Sequence, residues 1–182
     1  MYKRQLRAGR GWANGVSPFE SPERYAFLFF LAYIGIVTFT AARHGMTVLR
    51  FKADPEAAGT PAHRALAWAN IAASVALLVF TALVRPETWA ILLALSFIGL
   101  LQGRGILRYV SRPAASPRAW LVEHLSAMLA AGIAFHTAFA VFGATRFFGL
   151  TLTGPLAVLP WILPALLGIP ATILWSRKYS RA

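Results

Sequence analysis

The chain contains no cysteine. That excludes disulfides, thioether-linked haem, cysteine-ligated iron–sulfur clusters and cysteine nucleophiles, although it assigns no compartment. Charge is scarce as well: only 13% of the 182 residues are charged, about half the share of a soluble domain. Acids are scarcest, with six Asp and Glu against eighteen Lys and Arg. No internal repeat is visible, so the inverted-repeat pattern of transporters is missing. H-E-x-x-H, G-x-S-x-G and paired-Asp motifs are missing too, which leaves open whether the chain is an enzyme.

Apolar residues fill the space, at 58% of the chain with a mean hydropathy of +0.59. They come in blocks, and an apolar run of about 18 or more residues marks a transmembrane helix. The blocks run over Tyr25–Ala42, His63–Val84, Thr88–Gly103, Trp120–Gly143 and Gly154–Trp175. The predicted fold is all-α, a polytopic transmembrane bundle of about five helices. It divides into a polar basic tail over 1–24, the helical domain over 25–175 and a basic tail over 176–182. The first block is longer than the core of a signal peptide and follows a long basic region, so it reads as a retained helix.

The formal net charge of +12 collects at the edges of the apolar blocks. There it orients the chain and meets anionic lipid headgroups, so the bilayer is the expected partner. A homo-oligomer or a membrane-complex partner stays open. No basic stripe with interleaved aromatics lies outside the blocks, so nucleic acid is not expected. Eleven of the eighteen Lys and Arg fall in the 43–62 connection with Arg64, the 104–118 loop and the C-terminal tail. The positive-inside rule then puts the C-terminus in the cytoplasm, in a multi-pass protein of a bacterial inner membrane. The five Lys and Arg of the N-terminal tail run against this count.

Ionisable groups in such a chain are costly and mark candidate sites. His44 follows the first block, His63 opens the second, and Glu123 and His124 open the fourth, all at one membrane face. Imidazole binds zinc, iron and copper and carries protons near neutral pH. Metal candidates are therefore His44, His63 and His124. Arg64, Asn70, Glu123 and His136 join His63 and His124 as candidate ligand-binding residues. Asn70, Ser74 and Thr81 lie within about 20° of the His63 line on one helix face. On the fourth helix Glu123, Ser126, Ala130, Ala134 and Thr137 form a strip of mostly small residues, which predicts close packing at Ala130. His136 lies about 18 Å deeper than His124 and about 120° around the helix, so the two share no face. Interfacial placement, interhelical packing and a carbonyl-bonded buried histidine are the plain readings of these groups. Pro155, Pro160, Pro164 and Pro170 predict a strongly kinked or broken last segment.

These residues resemble a family of small bacterial membrane proteins grouped under a domain of unknown function. The matching pattern is H-R-x-x-G at His63 and Arg64, with Ala67 in the glycine position, then Glu123, His124 and Met128. The "HTAF" of His136 to Phe139 follows, then W-x-x-P-x-x-x-G-x-P at Trp161, Pro164, Gly168 and Pro170. The resemblance covers roughly residues 60–178 and implies no substrate. A distant likeness of such families to four-helix haem cytochromes implies a fold analogy alone.

The functional expectation is a His-lined site near the cytoplasmic face, holding haem b, a divalent metal or another small molecule. Matched histidines about one membrane depth apart on two helices, as a di-haem cytochrome requires, are not present, and only His136 is deep; a single haem near the cytoplasmic face stays open. The alternative is a non-enzymatic structural or accessory subunit whose polar residues serve helix packing.

Overall fold

A computed structural model describes residues 20–112, 116–149 and 154–180. Five of its helices are long and apolar enough to cross a membrane, and the protein is a polytopic membrane bundle. Helix α1 spans Pro22–Arg50, α2 Pro61–Val84, α3 Trp89–Tyr109 and α4 Ala119–Ala138. A π-helical turn, Phe139–Gly143, and the short α5, Ala144–Phe148, prolong α4. A 3-10 turn, Gly154–Val158, then leads into α6, Leu159–Ser180. In hydrocarbon every backbone N–H and C=O needs an internal partner, and helices supply one to each interior residue.

Helix α1 is the centre of the bundle. It packs against α2 on one side and α4 on the other, while α3 lies on α2 and α6 lies on α4. The large apolar side chains that stay exposed, such as Phe39, Leu83, Leu101 and Leu167, form the surface that lipid covers.

Two helices run past the ends of their apolar blocks. The first apolar block ends at Ala42, yet α1 continues to Arg50, and buried Ala41, His44, Gly45 and Val48 keep helical spacing. Arg43 and Arg50 ended the apolar run in composition but only face outward from an amphipathic last stretch. Helix α3 likewise continues from Gly103 to Tyr109, burying Ile106. His44 therefore sits inside a helix and not in the loop after it. Helix α2 starts on a Thr60 cap, whose hydroxyl accepts the His63 N–H at 3.3 Å, with Pro61 in its first turn. Its end is the left-handed Arg85, φ 49°, at the start of the short turn into α3.

The prolines do not break the last helix. Pro164 and Pro170 lie inside a continuous α6, which buries no residue of its own. The small strip of α4 also sits differently from its sequence reading. Ala127 and Ala131 are its buried alanines, and Ala127 faces the bare Cα of Gly45 on α1. Ala130 instead lines a chamber of about 230 Å³ shared with Tyr33, Gln102, Ala134 and Trp161. Overpacking is thus expected at Ala127: Ala127→Leu should cost about 1–3 kcal/mol, and Ala130→Leu, which has room, should be tolerated. Thermal unfolding of the two variants in detergent measures the difference.

At one end the core is aromatic and aliphatic, built from Tyr25, Phe30, Leu77, Phe80 and Leu92. Trp161 of the last span closes on Phe30 with ring centroids 5.2 Å apart. The other end is polar.

Candidate functional site

The polar end is organised by His44. Its Nε2 lies 2.8 Å from Glu123 Oε1 of α4, and its Nδ1 lies 3.0 Å from His63 Nε2 of α2. The two imidazoles stack at 5.2 Å, and Tyr109 of α3 presents its ring edgewise to His44 at 5.6 Å. Both histidines are 2% exposed, whereas the Glu123 side chain is about a third exposed. The result is a file of three protonatable groups, from a carboxylate at the surface to a buried imidazole.

The chemistry of the file follows from its donors. A Glu123 carboxylate accepts from His44 Nε2–H; His44 Nδ1 then accepts from His63 Nε2–H, and His63 Nδ1 is left as a bare acceptor. Among the described residues the buried His63 Nδ1 has no hydrogen-bond partner, nor does the buried Tyr109 hydroxyl.

The same register continues along α1 and α2. Val37 lies seven residues before His44 and Asn70 seven after His63, which keeps two antiparallel helices in step. Gln102 of α3 joins them, accepting from Asn70 Nδ2 at 3.1 Å and donating to the Val37 carbonyl at 3.3 Å. Further in, Tyr33 and Ser74 both flank Gly99. The Tyr33 hydroxyl donates to the Leu95 carbonyl at 2.7 Å and accepts the Gly99 N–H at 3.0 Å, so it sits within one turn of α3.

The remaining candidates go elsewhere. Arg64 donates to the Gly59 carbonyl at 2.9 Å, to Ser111 at 3.2 Å and to the Val110 carbonyl at 3.3 Å. It ties the α1–α2 connection to the end of α3, where carbonyls lack helical partners. His124 donates from Nδ1 to the Gly45 carbonyl at 2.9 Å, which anchors α4 to α1 beside the file without entering it. His136 is exposed, and its Nδ1 bonds the Gly132 carbonyl of its own helix at 2.7 Å. It lines an open groove between α4 and α6 with Met128 and Gly168.

The expectation of haem b or a divalent metal on His44, His63 and His124 is corrected by this geometry. Among the described residues no group of three His, Asp or Glu side chains converges to hold a metal ion. His44 spends both ring nitrogens on its neighbours, and His124 spends Nδ1 on a backbone carbonyl. Ligands must point lone pairs at one centre, and these groups point them at one another.

Tyr33, Thr40, Gln102 and Tyr109 join the seam without standing out in the sequence. One signal was available: Gly99 and Gly103 form a G-x-x-x-G pair in an apolar run, which marks a close helix contact. That contact brings Gln102 and Tyr109 to the seam. Comparison with family models, with curated proteins and with solved structures returned no match, so the reading of this chain rests on its own residues.

Proposed function

We propose that the working part of this membrane protein is a proton relay, Glu123–His44–His63, opening at the cytoplasmic face. The central placement of His44, hydrogen-bonded through both ring nitrogens, carries the reading. A proton taken up at His63 Nδ1 forms an N–H bond there and releases the Nε2 proton to His44 Nδ1. His44 in turn releases its Nε2 proton to Glu123 Oε1. One proton enters and one arrives at the carboxylate, and each hydrogen bond survives with its direction reversed. Glu123, the exposed member, exchanges with bulk water. The likeness to the small bacterial membrane family stays part of this proposal and adds no substrate to it.

Four histidines make the test tractable by nitrogen NMR of imidazole-labelled protein in lipid nanodiscs. Glu123→Gln should move the ring-nitrogen signals of both His44 and His63, while His124→Gln should leave them in place. If Glu123→Gln moves His44 alone, or neither, the relay is wrong and the groups serve helix packing. Orientation is checked separately. Reporter fusions after Pro61, Arg112 and Ser180 should read cytoplasmic, and one after Arg85 periplasmic. A periplasmic reading at Ser180 would turn the relay to the other face.

A further inference from the structure

We propose that the seam between α1, α2 and α3 holds a short column of bound water that exchanges protons with the relay and runs inward to Asn70. The inference rests on the relay reading and extends it past His63.

Three side chains carry it. Thr40 Oγ1, His63 Nδ1 and Asn70 Oδ1 are buried polar atoms without a hydrogen-bond partner among the described residues, on residues no more than 2% exposed. They follow one another along one seam. Thr40 lies four residues before His44 and, by the same register, opposite Ala67, whose methyl offers no hydrogen bond. Buried polar groups in native proteins nearly always have partners, and bound water is the usual one where no protein group reaches. Thr40 makes the point by contrast. Thr47, Ser74, Thr81 and Thr172 each donate to the carbonyl four residues earlier, the ordinary refuge of a helical hydroxyl. Thr40 does not, so its hydroxyl is kept for another partner.

The donor and acceptor roles form a consistent file. Asn70 Oδ1 only accepts, the Thr40 hydroxyl accepts and donates, and His63 Nδ1 does either according to its tautomer. From His63 to Asn70 the seam is about 10 Å long, a span that about three waters cover in hydrogen-bonded file. Such a file passes a proton to His63 Nδ1 by each water giving one O–H proton and taking another. Beyond Asn70 the Tyr33 hydroxyl is held by the Leu95 carbonyl and the Gly99 N–H, and past it Phe30 and Leu77, each 1% exposed, close the seam. Gln102, at its inner end, also borders the 230 Å³ chamber beside Tyr33. Proton exchange thereby reaches the polar edge of that chamber from the surface at Glu123.

The natural absence of cysteine supplies the test, because one introduced thiol gives the protein its only S–H infrared band. Thr40→Cys places the thiol in the column. Ser96→Cys places it at a position that is 0% exposed, on the apolar side of Gly99. On transfer of each variant in nanodiscs to D₂O, Thr40→Cys should convert from S–H to S–D at least about tenfold faster. Equal rates for the two thiols, fast or slow, overturn the column. Repeating Thr40→Cys with Glu123→Gln separates the two readings. Slower exchange ties the column to the relay; unchanged fast exchange keeps the column and removes the relay as its entrance.

Discussion

Gly103→Ala should lower stability by about 3 kcal/mol, at the upper end of overpacking effects, whereas Gly105→Ala should be neutral or stabilising. A Cβ at Gly103 would lie 2.6 Å from the Ala67 carbonyl oxygen and 2.6 Å from Ile71 Cγ1. A backbone oxygen cannot swing aside as a side chain does, so α2 and α3 must part. Gly99 sets the same limit one turn away, where a Cβ would collide with Ser74 Oγ and stand 3.2 Å from the Asn70 carbonyl oxygen. Gly105 is open, with nothing within 4 Å, and there alanine contributes its better helix propensity. Thermal unfolding of the two variants in one detergent gives the comparison. Equal effects at Gly103 and Gly105 would show that the helices do not meet at Gly103. Parting α2 from α3 also withdraws Gln102 from Asn70, so Gly103→Ala should disturb the seam as well as the fold.

His44→Leu should cost about 2–4 kcal/mol, because one change leaves two groups without partners. Most of the loss falls at His63, whose Nε2 is buried and would join Nδ1 in having no protein partner among the described residues. Glu123 loses less, since its partly exposed carboxylate turns to water. Adding His63→Leu should return part of the stability, since removing both partners of a buried bond is milder than removing one. Denaturation of the single and double variants measures this. A double variant as unstable as the sum of its parts would mean that the His44–His63 bond contributes nothing. The His44 ring-nitrogen signals vanish in both variants and those of His63 only in the double one. In His44→Leu a further Glu123→Gln should therefore no longer move the His63 signals, which keeps the structural effect apart from the proton chemistry.

By itself the sequence determined that this chain spans a membrane several times, through five apolar blocks long enough to cross it. Burial in lipid needs only length and low polarity, and both are properties of a run of residues. It also determined that ionisable groups gather at one end, because helix count and residue position place His44, His63, Glu123 and His124 on one face. Which of these groups meet was a matter for tertiary structure. By composition the charge of Arg43 ends the apolar run and leaves His44 in the 43–62 connection, yet the buried Ala41, Gly45 and Val48 carry the helix onward and His44 is buried with them. His124, adjacent to Glu123, was an equal candidate by position. The rotation of α4 against Gly45 gives Glu123 to His44 and sends His124 to a backbone carbonyl. The seam from Thr40 to Asn70 depends on the register of two antiparallel helices, which no single helix encodes. Close approach at Gly99 and Gly103 then brings in α3, and with it Gln102 and Tyr109. Periodicity fixes which side of a helix is polar, but only interhelical packing decides which polar atoms are left facing one another.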